Sequence, residues 1–377
     1  MKVVVAGDFC PQNRVASLLE QGDFQSVFGE FREVVSEADY AIINLECPVV
    51  KDSERPILKQ GPNLSCSSQG IKAIKWAGFN GVTLANNHFY DYGDDGVRNT
   101  LEMCRESTID TVGGGMNLCE ASNILFKHIG DRILAIINCC EHEFSIASDE
   151  HGGSNPLDPV RQYYAIKKAK SNADIVLLII HGGHEHFQLP SVRMVETYRF
   201  FIDAGADAII NHHQHCVSGY ELYNGKPIFY GLGNFCFDGN RSGKEIWNEG
   251  YVVSLTFTDK VSFEIVPYYQ CRKSKPSIEL MQGKDLSSFY KRISELNAII
   301  ADRVRLEQEI QTWYKEEGHE IGLVLTPYCS RVMRGLWRRG FLPSFLPKRK
   351  SVELLNMVKC ESHHDSLVAF LNNKVYE

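Results

Sequence analysis

Short β-branched runs alternate with helix-length amphipathic segments over the first two thirds of the chain. Val3–Ala6, Ala41–Leu45, Val82–Ala85, Ile133–Asn138, Ile175–Ile180, Ala208–Asn211 and Ile228–Tyr230 read as buried strands. Between them, Ser26–Ala38, Ile71–Trp76, Val97–Arg105, Val160–Ser171 and Val192–Ala204 carry apolar residues at helical spacing. Such alternation predicts an α/β layered fold in which helices cover a sheet. Tyr251–Phe257 and Val261–Val266 alternate as antiparallel strands do, closing this domain near Pro267.

After about Lys273 the pattern changes. Leu286–Trp313 has helical spacing with charges between, so residues 1–273 are expected to form one domain and 274–377 a helical C-terminal region. Within that region Ile321–Val352 contains no acidic residue but carries Arg331, Arg334, Arg338, Arg339, Lys348, Arg349 and Lys350, interleaved with Leu336, Trp337, Phe341, Leu342, Phe345 and Leu346. This stretch reads either as contact with a membrane surface or a polymer synthase, or as a solvated basic edge packed on the main domain.

Composition narrows the classes. Of 377 residues 44% are hydrophobic and 23% charged, which suits a folded globular chain and excludes global disorder. No apolar run reaches the roughly 18 residues of a membrane-spanning helix, and the run after Met1 is too short for a signal peptide. The expectation is a cytoplasmic protein, peripheral at the inner face of the membrane if the basic segment docks there. A net charge of −7 argues against nucleic acid as the partner. The twelve cysteines include no C-x-x-C pair and mostly lie in apolar runs, as buried reduced thiols do.

Chemistry is concentrated where predicted strands end. Val3–Ala6 leads to Gly7-Asp8, Ala41–Leu45 to Glu46, Val82–Ala85 to Asn86-Asn87-His88, Ile175–Ile180 to His181, and Ala208–Ile210 to Asn211-His212-His213-Gln214-His215. In open α/β sheets the carboxyl ends of strands share one crevice. Five segments thus deliver oxygen and imidazole donors to one place, a set suited to Mn²⁺, Fe or Zn²⁺ rather than to a cysteine-rich structural zinc site. A carboxylate shared by two such ions would polarise an ester and activate water. No G-x-S-x-G, Walker A or H-E-x-x-H motif competes, and Gly113-Gly114-Gly115 reads as a tight loop.

Taken in order, Gly7-Asp8, Asn44-Leu45-Glu46-Cys47-Pro48, Ala85-Asn86-Asn87-His88-Phe89-Tyr90-Asp91-Tyr92-Gly93, His181-Gly182-Gly183-His184-Glu185, Asp203-Ala204-Gly205-Ala206-Asp207, His212-His213-Gln214-His215 and Tyr230-Gly231-Leu232-Gly233-Asn234-Phe235 resemble the CapA family of capsule or poly-γ-glutamate synthesis proteins. The resemblance covers about residues 1–270 and implies a four-layered α/β/β/α fold of the calcineurin-like metallophosphoesterase type. It implies two divalent ions: Asp8 and His215 resemble ligands of the first, Asn87, His181 and His213 ligands of the second, and Glu46 the bridging carboxylate. His88 resembles the histidine that protonates a leaving group, with Asp91 beside it in the motif. Arg14, Glu185 and Asn234 are expected to bind substrate. The metallophosphoesterase motif begins Asp-x-His, whereas this chain has Asp8-Phe9-Cys10, so Cys10 stands at a ligand position and is a candidate catalytic thiol.

Three functions follow as expectations: a metal-dependent hydrolase or transferase acting on an anionic polymer or phosphoester in capsule synthesis, a metal-independent acid/base or Cys10-dependent enzyme that modifies peptides, and a non-catalytic subunit of a polymer synthase.

Overall fold

The computed structural model describes residues 1–51, 54–239, 245–325, 328, 330–343, 346–359, 363–364, 367–368 and 370–371. The strands run Lys2–Cys10 (β1), Tyr40–Leu45 (β2), Gly81–Thr83 (β3), Asp110–Val112 (β4), Gly114–Gly115 (β5), Leu125–Ile129 (β6), Arg132–Cys140 (β7) and Gly153–Ser154 (β8). They continue with Ile175–His181 (β9), Ala208–His212 (β10), Tyr220–Tyr223 (β11), Lys226–Phe229 (β12), Asn234–Phe237 (β13), Glu249–Phe257 (β14), Val261–Arg272 (β15) and Lys275–Leu280 (β16).

Two large mixed sheets result. The first has the order β16-β15-β14-β1-β2-β3-β4, with β13 joining β1 in parallel, and the second the order β11-β12-β10-β9-β7-β6. In each, the central strands are parallel and the flanking hairpin strands antiparallel. The central parallel strand β9 is buried throughout, as its continuous apolar run Ile175–Ile180 requires of a strand covered on both faces.

The sheets pack face to face. Phe229 of β12 meets Phe263 of β15 at 5.0 Å and Tyr251 of β14 at 6.4 Å between ring centres, and Tyr220 of β11 meets Phe263 at 5.1 Å. A polar tie crosses the same interface: Asn138 of β7 accepts hydrogen bonds from Leu84 N and Ala85 N beyond β3, and donates to Ile179 O of β9. On the outer face of the first sheet, Val4, Ala6, Ala41 and Ile43 pack under Val15, Leu19, Phe28, Phe31, Ile71 and Ile74 from the preceding and intervening helices. Helices Pro159–Lys170 and Val192–Ala204 cover the second sheet through Ile166, Ala169, Phe201 and Ile202. The layering is therefore α/β/β/α, the arrangement expected from the sequence.

Two local expectations change. The helix expected over Ser26–Ala38 is two short helices, Phe24–Phe28 and Phe31–Ser36, because Gly29 at φ +52° leaves the helical region. The helical stretch expected over Leu286–Trp313 breaks at Asp302, whose backbone is extended and whose carboxylate caps Val304 N and Arg305 N of the next helix.

The first compact unit runs from Met1 to Glu307, past the composition shift at Lys273. Lys275–Leu280 extends the first sheet as its edge strand. Helix Gly283–Ala301 buries Phe289, Ile293, Leu296 and Ile300, and its Asn297 accepts from Tyr220 N at 2.7 Å. The second unit, Gln308–Glu377, includes helices Arg331–Arg338 and Lys348–Lys359. Phe345 of the basic segment lies outside the described residues. No helix among the described residues is long and apolar enough to cross a membrane.

Candidate functional site

The site lies where the carboxyl ends of both sheets meet. At the end of β1 the pairing register shifts between Ala6 and Asp8 against β2, and between Asp8 and Phe9 against β13. A slip of one residue reverses which face a side chain takes. Phe9 and Cys10 both enter the outer, helix-side core, whereas Asp8 faces inward to the second sheet. Gly7 permits the close passage: a Cβ there would lie 2.0 Å from Gly233 O.

Asp8 accepts from Asn44 Nδ2 of β2 at 2.7 Å and from His213 N at 3.2 Å, and its Oδ2 lies 3.7 Å from His215 Nδ1. Glu46 Oε1 stands 3.5 Å from His215 Nε2 and 3.7 Å from His181 Nε2. His181 Nε2 is 3.1 Å from both Asn87 Oδ1 and His213 Nδ1. Three groups of donor atoms therefore fall within one ion's reach: Asp8, Glu46 and His215; Glu46, His181 and His213; and Asp8, His181 and His212. The first two share Glu46, as the bridging role implied by the resemblance requires.

Electrostatics show what this cluster lacks. Both Glu46 oxygens are buried without a hydrogen-bond partner, an arrangement that is costly unless a cation or proton takes their lone pairs. Burial and then the Asp8 charge hold the Glu46 carboxyl well above its ordinary range, and burial pushes Asp8 up to about 7 against the opposing Asn44 hydrogen bond. Burial, with the neighbouring His213 second, holds His181 and His215 well below the usual imidazole range. Burial drives His212 down to about 3. Neutral imidazoles are the donor state that a divalent ion takes, and a cation among them would favour the ionised form of both carboxyls. His213 and His215 adopt φ of +93° and +53°, a left-handed backbone that costs non-glycine residues energy and is held here by the surrounding structure.

Beside this cluster is a second constellation. His88 Nδ1 lies 2.7 Å from Asp91 Oδ2, which also accepts from Leu64 N at 2.6 Å. The other Asp91 oxygen pairs with Lys59, whose ammonium is 3.0 Å from His88 Nδ1 and whose side chain is only 2% exposed. The Asp91 carbonyl accepts from Ile57 N and Asn63 Nδ2, so this residue also holds down the loop that delivers Lys59.

Several expected residues stand elsewhere than the sequence suggested. Cys10 packs in the outer core near Cys47 and accepts from Gln12 Nε2 at 3.4 Å; it stands close enough to Glu46 to help raise that carboxyl but joins none of the three donor groups. Arg14 is no open anion binder: its guanidinium pairs with Asp238 and donates to the carbonyls of Arg272 and Lys273. Asn234 is buried behind His215: its Oδ1 lies 2.9 Å from the ring Nδ1 and its Nδ2 donates to the His215 carbonyl, so it orients a ligand instead of meeting substrate. Glu185, by contrast, is half exposed at the site: His186 Nε2 is at 3.7 Å and its charge contributes to raising the Glu46 carboxyl.

Asn44 and His212 stood in the sequence motifs without a role given to either, and Lys59 and Glu143 were missed. Glu143 follows β7, accepts from Asn87 Nδ2 at 3.3 Å and stands 3.7 Å from His213 Nε2. The polar Asn44 inside an apolar strand was a readable signal. Lys59 sits in a polar loop and gave none.

Fold and site together define a four-layered α/β/β/α protein with a buried carboxylate–histidine cluster drawn from both sheets. The chain belongs to the bacterial capsule synthesis protein PGA_cap family, whose model matches residues 2–239. It is 32% identical over 246 residues to the capsule biosynthesis protein CapA of Bacillus anthracis, covering 63% of this chain and 60% of that protein. It is also 32% identical over 235 residues to the PGA biosynthesis protein CapA of Bacillus subtilis strain 168, covering 62% of each. The match spans about three fifths of the length of these relatives. Among solved structures, a phosphatase from Mycoplasma pneumoniae aligns over 78% of this chain and 98% of its own, at 15% identity and a TM-score of 0.45.

Proposed function

We propose that this protein is a metal-dependent hydrolase or transferase of capsule or exopolymer synthesis, acting on an anionic polymer such as poly-γ-glutamate or on a phosphoester. The observation that carries the reading is Glu46: a fully buried carboxylate, unpartnered at both oxygens, standing between His215 and His181 in two adjoining donor groups. Asp8, Glu46 and His215 would hold one divalent ion, and Glu46, Asn87, His181 and His213 a second. Manganese, zinc and iron suit these oxygen and imidazole donors.

Bound there, such ions supply Lewis acidity toward a substrate oxygen and lower the pKa of water. The chain's own residues do the rest. Asn44 and His213 N orient Asp8, and Asn234 fixes the His215 ring. His88, with Nδ1 toward Asp91 and Lys59, keeps Nε2 as the position from which a proton passes to a leaving group. Burial of the cluster excludes bulk water and strengthens each of these interactions.

The test is calorimetric titration of chelator-stripped protein with Mn²⁺ and Zn²⁺, paired with a phosphoester and peptide-bond hydrolysis screen. Tight binding and metal-restored turnover are expected, both lost in His213→Ala. Absence of metal binding by the parent protein would overturn the reading. His88→Ala should retain metal and slow turnover by about 10²–10⁴-fold, the usual worth of a general acid.

A further inference from the structure

We propose that helix Arg331–Arg338, with Arg339 and Phe341 just beyond it, is a membrane-interface element that lies on anionic phospholipid headgroups. At about 100° per residue, Arg331, Arg334, Arg338 and Arg339 fall on one side of the helix axis. Val332, Met333, Leu336 and Trp337 fall on the other. None of the eight helical residues is buried, and Val332 and Phe341 are 72% and 73% exposed. Local contacts support the helix: Ser330 accepts from Met333 N at its start, and Arg334 Nε donates to Tyr328 O at 3.1 Å.

Charge complementarity selects the occupant. Ile321–Val352 carries seven basic residues and no acidic one, within a chain whose net charge is −7, so positive charge is gathered here against the trend of the whole. Arginines beside exposed valine, methionine and phenylalanine fit a surface that offers phosphate at its face and hydrocarbon just beneath. Nucleic acid offers the phosphate but has no bed for the apolar side. A solvated edge accounts for the arginines but leaves Val332 and Phe341 in water.

The test is co-sedimentation of the full chain with large unilamellar vesicles of phosphatidylcholine alone, or of phosphatidylcholine with about one third phosphatidylglycerol. Binding is expected to the anionic vesicles only, weakening as salt screens the headgroups. Arg334→Gln/Arg338→Gln/Arg339→Gln and Val332→Ser/Phe341→Ser should each lower vesicle affinity at least tenfold. Both variants change only exposed positions, and unaltered thermal melting of the first unit confirms that the chain is folded. Failure of the parent chain to bind anionic vesicles, including the case where it instead captures a protein partner, overturns the proposal. So does undiminished binding by both variants.

Discussion

Removing the Lys59 ammonium is the sharpest perturbation the structure offers. Lys59→Met keeps the length of the side chain and its apolar stem but leaves the Asp91 carboxylate, itself fully buried, without its cationic partner. Breaking a buried pair from one side costs about 3–5 kcal/mol, because the remaining charge stays desolvated. Leu64 N and His88 still hold one Asp91 oxygen, which places the expected loss near the lower end, about 3 kcal/mol. For a unit of this size that is a fall of about 5 °C in Tm. The assay is differential scanning calorimetry of chelator-stripped protein, following the transition of the first unit. The double variant Lys59→Met/Asp91→Asn supplies the control, since it removes the stranded charge together with its partner. It should be more stable than the sum of its single variants by about 1–3 kcal/mol. If Lys59→Met melts within about 1 °C of the parent, or if the single losses simply add, the pair is not a buried electrostatic unit and the geometry assigned to His88 falls with it.

Asn234→Ala should leave the fold intact while weakening metal binding about 10–100-fold by freeing the His215 ring, as read by calorimetric titration; unchanged affinity would remove its orienting role. Gly7→Ala should cost several kcal/mol, because its Cβ would collide with Gly233 O, a backbone atom that cannot move aside; a Tm near the parent's would refute this. The pH dependence of the metal-free protein has two opposed parts. His212 is depressed to about 3 from about 6.5, so its contribution is complete above pH 6.5 and is lost as pH falls toward 3. Asp8 is raised to about 7 from 3.8, so its contribution is present below pH 3.8 and is lost as pH rises toward 7. His212→Asn should therefore flatten the acid limb of a Tm-versus-pH series, and Asp8→Asn the limb between pH 4 and 7; curves parallel to the parent's would contradict both assignments.

The strand-end residues were legible because parallel strands bury their lengths and expose only their carboxyl ends. An Asp, Glu or His just after Val3–Ala6, Ala41–Leu45 or Ile175–Ile180 had one crevice to enter. Cys10 was not legible from spacing alone: Asp8-Phe9-Cys10 suggests a common face, but the register shifts between Asp8 and Phe9, and Cys10 joins the outer core. Arg14 was misread because its partner, Asp238, lies 224 residues away and no local pattern links the two. Lys59 was invisible for a related reason: its burial is imposed by Asp91 and the loop folded over it, not by an apolar neighbourhood in sequence. The edge strand Lys275–Leu280 escaped notice because its lysine, proline and glutamate weaken the alternation, as is usual at the border of a sheet.

If the cluster holds ions as proposed, the division of donors between the two sheets has a consequence for when the site could fill during synthesis. Asp8, Glu46 and Asn87 come from the first sheet, while His181, His213 and His215 belong to the second, and chains emerge N-terminus first. A ribosome that has released only residues 1–174 has presented oxygen donors and none of the three imidazoles. Oxygen donors alone suit hard ions such as magnesium, whereas imidazole shifts preference toward manganese, iron and zinc. On the proposed two-ion reading, the imidazole half of the donor set would therefore be completed only late, with the turn after β10.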